Sequence, residues 1–245
     1  MIALLMLALP LAQMPGGEDA RFAACSALVR TNPAQAVTEG EAWAEAAKSV
    51  PARHCLGLAY AAADRWTPAT ETFAQAAAQA QAEQDGRAAT LWSQAGNAAL
   101  AGDDPKRAIT LLDKALALPA QPALVEGEAW VDRARADFAT GDMAAARVDL
   151  DRGLKLVPQD PFPWLLSATL ARRQNDIPRA ETDIARALTL AADDPAVQLE
   201  AGNIAAAAGK QDAARQAWTR AAQRDPTSPE GKAAAAALAQ DRDGR

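Results

Sequence analysis

The sequence predicts an all-α solenoid, and three observations carry that expectation. The first is a period: Trp130, Trp164 and Gln198 stand 34 residues apart, as do Ala134, Ala168 and Gly202. Ala146, Ala180 and Ala214 keep the interval, and so do Pro158, Ala192 and Pro226. A helical unit of that size cannot bury its own apolar face, so it becomes stable only by stacking on neighbours. The second is composition: half the residues are hydrophobic, Ala dominates them, and aromatics make up only 4%. Ala is the strongest helix former and its small side chain permits close helix packing, which leaves the six tryptophans to fill the larger gaps. The third is the alternation of small-residue stripes with turn residues inside each period.

The repeat from Pro161 shows that alternation most clearly. Its first helix carries Trp164, Ala168 and Ala171 on one side, at the four- and three-residue spacing of a buried stripe. Asn175 and Asp176 supply the turn, and a second helix follows with Ala180, Ile184 and Ala187 inward. The repeat from Gly127 has Trp130 and Ala134, the turn Gly141–Asp142, then Ala146, Leu150 and Gly153. The repeat from Pro195 has Gly202, Gly209 in its turn, then Ala214, Trp218 and Ala221. Upstream, Trp92, Gly96, Ala99, Ala108, Leu112 and Ala115 fit with one extra turn residue, and Gly57, Tyr60, Ala69, Phe73 and Ala76 fit without insertion. The most degenerate copy uses Ala24, Ala27 and Ala36, with Trp43 in its second helix. Six repeats therefore start near residues 17, 50, 89, 127, 161 and 195.

Two breaks in phase interrupt the series. The excess around Gln79 to Asp85 lacks a breaker before Gly86 and reads as a lengthened helix. The excess at Pro119 to Leu124 reads as a loop, because Pro119 and Pro122 remove backbone donors, and a joint between repeats belongs there. The segment 229–240 starts with Pro229 and Glu230 and reads as one capping helix, followed by a charged tail at 241–245.

With the register in place, the chain resembles the tetratricopeptide repeat family, whose 34-residue unit carries W-x2-L-G-x2-Y and A-x3-F…P. Leu56-Gly57-x2-Tyr60 with Ala69-x3-Phe73 and Trp92-x2-Ala95-Gly96 with Ala108-x3-Leu112 are its best copies. Asp137 stands where the family prefers Tyr, and Arg133 where it prefers Leu. Half-a-TPR and Sel1-like repeats are the competing names, the latter with slightly longer units. The resemblance implies a right-handed superhelical solenoid over residues 17–228, with first helices lining a concave groove. It also implies a non-catalytic scaffold that binds a protein or an extended peptide.

On that reading the groove-facing residues are Ser93, Gln94 and Asn97 in the third repeat, and Val131, Asp132, Arg135 and Phe138 in the fourth. Leu165, Leu166, Thr169, Arg172 and Arg173 follow in the fifth, and Leu199, Glu200 and Asn203 in the sixth. The mixture of apolar anchors and arginines suits an extended, acidic segment, since guanidinium offers a planar fork of donors. The plainer alternative is that Arg135, Arg172 and Arg173 only solvate a helix surface. Some family members hold a C-terminal carboxylate with Lys, Asn and Arg on three consecutive first helices. Asn97 matches one such position, but the neighbouring repeats lack the others, which argues against that kind of receptor.

Other function classes find little support. A net charge of -6 and a pI near 4.9 exclude a general nucleic-acid binder, which needs a basic face. The sequence has one histidine, His54, and no H-E-x-x-H, P-loop or dinucleotide fingerprint, so no catalytic residue, metal or cofactor is expected. The sequence places no two carboxylates across a cleft, and a carboxylate-dependent hydrolase remains only the remote alternative. The nearer alternative is a structural assembly module acting through the convex face or the solenoid ends. Trp66 has no repeat duty and reads either as a contact residue or as a cap on the adjacent turn.

Residues 1–16 begin with the apolar run MIALLMLALPLA, too short to cross a bilayer and suited to the core of a secretory signal peptide. Export to the periplasm or beyond is the expectation, with a membrane-tethered or cytoplasmic chain as the alternative. In an oxidising compartment Cys25 and Cys55, placed by the register on consecutive first helices, can form a disulfide; otherwise they are two small buried apolar residues. N-terminal mass spectrometry of the protein from its native source should show that roughly the first 12 to 16 residues are removed. A mature chain starting at Met1 contradicts the leader.

Overall fold

The computed structural model describes residues 17–119 and 121–243, and the expected leader lies outside them. Among the described residues the chain forms thirteen α-helices and no strand. They fall into two compact units that divide after Pro119, within the segment where the sequence places a joint. The N-terminal unit holds α1 (Gly17–Thr31), α2 (Pro33–Ala47), α3 (Val50–Ala62), α4 (Trp66–Ala82), α5 (Ala88–Ala101) and α6 (Pro105–Leu116). The C-terminal unit holds α7 (Ala123–Thr140), α8 (Met143–Leu156), α9 (Pro161–Arg173), α10 (Ile177–Leu190), α11 (Pro195–Ala207), α12 (Gln211–Arg224) and α13 (Pro229–Asp243). Successive helices pair as the six repeats, and α13 packs on α12 and α11.

Local chemistry starts most of these helices. Asp104, Asp142, Asp160, Asp176 and Asp194 each accept a backbone N–H of the first turn, at 2.8–3.2 Å. Such a cap satisfies one of the four donors a helix start leaves unpaired. Pro105, Pro161 and Pro195 follow their Asp directly, where the missing N–H costs nothing. Asn32 and Ser49 cap α2 and α3 in the same way. Between paired helices, Gly141 and Gly209 take the left-handed conformation at φ 88° and 74°. Asp64, Asp103 and Asn175 do so at the equivalent turns of other repeats.

What closes the five pairs from α3 to α12 is a match of sizes between residues sixteen apart. Gly57 faces Phe73, Gly96 faces Leu112 and Gly202 faces Trp218, each so closely that a Cβ on the glycine would enter the partner side chain. In the other pairs Ala134 and Leu150, then Ala168 and Ile184, occupy the same positions and are buried. Ala69, Ala108, Ala146, Ala180 and Ala214 are fully buried on the second helices. The small side chains let the two helices approach, and the large one fills the space that remains.

A second regularity lies one position before the closing small residue of the second helix. Lys114 sits over the Trp92 ring at 4.5 Å from its centroid, and Arg152 over Trp130 at 4.4 Å. Arg186, 34 residues after Arg152, instead donates to the Pro158 carbonyl. These tryptophans differ in depth from the expectation of a common core position. Trp92 is buried, whereas Trp130 and Trp164 are half-buried. Each of those two keeps its indole N–H at the edge, donating to Glu126 at 3.2 Å and to the Pro158 carbonyl at 3.0 Å.

Other expectations need correction. Ala24 and Ala27 are exposed, and α1 packs through Phe22, Cys25, Leu28 and Val29. It packs mainly on α2 and α3, and bulky side chains rather than a small-residue stripe set its register. The excess near Gln79 does lengthen α4, to 17 residues, but the excess near Pro119 is only partly loop because α7 already begins at Ala123. The final helix runs on to Asp243, past the expected start of the tail, and Arg215 donates to Asp241 at 3.1 Å. Trp66 opens α4 and covers the turn of the next repeat, where a Cβ on Gly102 would lie 3.0 Å from its own Cβ.

Gly202→Val should lower stability by about 1–3 kcal/mol, because the Trp218 ring has no room to retreat. Denaturant unfolding followed by Trp fluorescence measures it, and an unchanged midpoint would contradict the packing described.

Candidate protein-interaction surface

Three first helices of the C-terminal unit carry twelve of the fifteen groove residues expected from sequence. Val131, Asp132, Arg135 and Phe138 lie on α7, Leu165, Leu166, Thr169, Arg172 and Arg173 on α9, and Leu199, Glu200 and Asn203 on α11. The other three, Ser93, Gln94 and Asn97, lie on α5 in the N-terminal unit, Asn97 half-buried. The 34-residue period puts Asp132, Leu166 and Glu200 at one register position, and Arg135, Thr169 and Asn203 at another.

The side chains divide into those that join the repeats and those that face outward. Arg172 donates to Glu200 through Nε at 2.6 Å and through Nη2 at 3.1 Å, a two-point ion pair between α9 and α11. Asn203 donates to the same carboxylate at 3.1 Å and accepts the Trp218 indole N–H at 3.0 Å. Glu200 is buried, so this chain fastens the fifth repeat to the sixth. The Thr169 hydroxyl donates to the Leu165 carbonyl of its own helix, and Leu165 packs against the core around Ile184. Val131 and Ser93, read as groove-facing from sequence, are buried instead.

Arg135 and Arg173 pair with aromatic rings across α7 and α9. The Arg135 guanidinium lies 5.6 Å from the Phe162 ring centroid, and that of Arg173 lies 4.6 Å from the Phe138 ring centroid. Arg135 also donates to Asp132 at 3.0 Å. Arg173 is exposed, and among the described residues no carboxylate forms an ion pair with it. Phe162 is 43% exposed, one of the three large apolar side chains most open to solvent. At the N-terminal end of the same two helices the charge is opposite. Burial, then the nearby Asp132 and Asp160, push the Glu128 carboxyl above its ordinary range.

Inside the fourth repeat lies a polar cluster that sequence reasoning did not place. Arg133 donates to both oxygens of Asp149, at 2.6 and 2.9 Å, and lies 4.6 Å from the Trp130 ring centroid. Asp137 shares the site, and its carboxyl is pushed up to about 6 by burial first and by the Asp149 charge second. The next repeat reuses the positions: Ser167 donates to Asp183 at 2.5 Å and accepts from Arg147 at 2.6 Å. Arg179 completes that network by pairing with Asp151 and Asp183. The available signal was the 34-residue spacing of Arg133 to Ser167 and Asp149 to Asp183, polar residues at stripe positions. Removing one partner of such a buried pair costs about 3–5 kcal/mol, because the other charge is left unpaired.

Asp137 and Asp149 are enclosed between α7 and α8, so this carboxyl pair does not face an open cleft. Among the described residues no group of three or more His, Cys, Asp or Glu is arranged to hold a metal ion. No described helix is long and apolar enough to cross a membrane.

Comparison with known proteins fits this architecture. The profile of the tetratricopeptide repeat family matches residues 93–161 and 165–229, more than half of the chain. The chain belongs to the tetratricopeptide repeat family. A search of curated proteins found no significant match. Among solved structures the chain is similar to PilF of Pseudomonas aeruginosa, at 18% identity and a TM-score of 0.71, over 88% of this chain and 95% of that one. It is likewise similar to PilW, described as a widely conserved type IV pilus biogenesis factor, at 20% identity and a TM-score of 0.73, over 88% and 96%. YrrB, described as a TPR protein with an unusual peptide-binding site, matches at 16% identity and a TM-score of 0.55, over 78% and 95%.

The raised Asp137 carboxyl has a consequence for stability. In the folded protein it holds its proton to about pH 6, against about 4 when unfolded. The stability it contributes is thus complete below about pH 4 and lost as the pH rises through 6. Asp137→Asn keeps a neutral side chain throughout, so its advantage over wild type should grow by on the order of 1–2 kcal/mol between pH 4 and 7. Denaturant titrations at the two pH values check this, and a constant difference would contradict the assigned proton.

Proposed function

We propose that the protein is a non-catalytic scaffold of the cell envelope, and that it holds an extended protein segment along α7 and α9. The observation that carries the reading is the pair of arginine–aromatic contacts on these helices, with Phe162 open to solvent and Arg173 without an ion-pair partner. Well-packed binding surfaces concentrate their energy in a few aromatic and arginine anchors. Here Phe138 and Phe162 supply apolar contact, while Arg173 is placed to receive a carboxylate. Glu128 and Asp132 at the other end of α7 disfavour a second acid there. The segment that fits carries an acidic group near Arg173 and a neutral or basic one near Glu128.

Arg172 plays a different part from its neighbour. Its fork is occupied by Glu200, so it shapes the surface by joining repeats and does not reach the partner. The envelope assignment rests on the apolar run at residues 2–11 and on the likeness of the fold to PilW. The likeness to YrrB supports peptide binding as the mode.

Affinity capture from the native compartment with wild type, Arg173→Glu and Phe162→Ala tests the reading. Each substitution should reduce recovery of one stoichiometric partner by at least about tenfold, the loss of one anchor, with helicity unchanged. Undiminished capture by both variants removes the site from α7 and α9 and transfers the function to another surface.

A further inference from the structure

The first helix is held differently from the other twelve. No residue of α1 is buried, whereas each helix from α2 to α12 buries at least four. Its contacts are partial: Phe22 and Cys25 rest against Trp43, Ala52 and Cys55, and Leu28 and Val29 against Ala36, Val37 and Ala59. Arg21 adds one guanidinium over the Trp43 ring, at 4.9 Å from its centroid. A lone helix of fifteen residues is marginal in water, so α1 depends for its order on these contacts and on its covalent link to α3. The structure joins Cys25 on α1 to Cys55 on α3 by a disulfide, with Cα atoms 6.2 Å apart, a covalent cross-link added to the backbone connection between α1 and α2.

Beneath α1 lies a surface built to be covered. Ala52, Cys55 and Ala59 on α3 are fully buried, and Trp43 nearly so. Between them the His54 ring lies 4.8 Å from Phe22 of α1 and 6.1 Å from Phe73, centroid to centroid. Both of its nitrogens are shielded from solvent, with the Gln94 side chain beside them. Burial first and the Arg87 charge second lower its pKa to about 4.

We infer that α1 is a redox-released cover, closed on α3 while the Cys25–Cys55 bond is intact and freed when a dithiol reduces that bond. Cys55 is fully buried and Cys25 only half-buried, so the attack falls on the Cys25 sulfur. A thiolate of the dithiol bonds to Cys25 Sγ and displaces Cys55 as a thiolate, which takes up a proton. The second thiol of the reductant then displaces Cys25, leaving two protein thiols and an oxidised reductant, a transfer of two electrons and two protons. Release of α1 uncovers the apolar α2–α3 face and hydrates His54. The N-terminal unit then ends in an open edge instead of a closed one.

The single histidine of the chain reports on the cover directly. In the oxidised full-length protein the imidazole resonance should titrate near pH 4. After reduction with excess dithiothreitol its midpoint should move up toward about 6.5, the value of a solvated imidazole. Tryptic cleavage after Arg21 and Arg30 should quicken at least roughly tenfold as local opening becomes easier. The Cys25→Ser, Cys55→Ser double variant should behave like the reduced protein. Hydrogen exchange should show amides of α3 to α6 still protected in both. A midpoint that stays near 4, a bond that survives the reductant, or loss of protection in α3 to α6 each overturns the inference, the last by showing that the bond holds the whole unit.

Discussion

Five of the six repeats depend on one steric constraint: the first helix must be small where the second is large. Gly57 against Phe73, Gly96 against Leu112 and Gly202 against Trp218 state it in its strictest form. Backbone freedom is not what these glycines supply, since each sits in the middle of a helix where Gly is a poor choice by about 0.5–1 kcal/mol relative to Ala. Close approach of the helix axes supplies the compensation, by burying a large side chain against bare backbone. The alanine stripes of the second helices follow from the same approach. The repeats then need little aromatic mass, which explains how a chain with 4% aromatic residues builds an ordered interior.

The C-terminal unit departs from this economy at neighbouring positions. Arg133 with Asp149, Ser167 with Asp183 and Arg172 with Glu200 place charge where an apolar chain would pack as well or better. Buried pairs of this kind contribute little net stability against a hydrophobic replacement, but they penalise any arrangement that leaves one partner alone. Their geometry therefore selects one register of α7, α9 and α11. That register sets which residues remain outside, and it leaves Arg173, Phe162 and part of Phe138 on the surface. The interaction surface is a by-product of how the interior charges are satisfied.

The fold was legible because its signals are local and repeated. A 34-residue interval between small residues survives substitution at any single copy, and Asp-Pro pairs mark helix starts without reference to the rest of the chain. The surface was legible only in part. Period and register put Arg172 and Arg173 side by side, yet whether a guanidinium faces a carboxylate depends on Glu200, which belongs to the next repeat. The sequence gives no measure of that partnership, and the same holds for Asp137, whose environment is made by Asp149 and Arg133 together. Register also misplaced the stripe of α1. Ala24 and Ala27 match the period, but a helix packed on one side selects its bulkiest residues, Phe22 and Leu28 among them.

A double-mutant cycle on Gly57 and Phe73 tests the size constraint most directly. A Cβ added at Gly57 would lie 2.6 Å from Phe73 Cδ1 and Cε1, well inside contact distance. In wild type, Gly57→Ala should destabilise by about 1–3 kcal/mol. With Phe73→Ala already present the clash is relieved, and the same substitution should be neutral or stabilising by up to about 1 kcal/mol, the ordinary helix preference for Ala. A coupling of that sign is what the account predicts. Additive effects, with Gly57→Ala equally costly in both backgrounds, would show that the pairs are held by something other than the match of small to large.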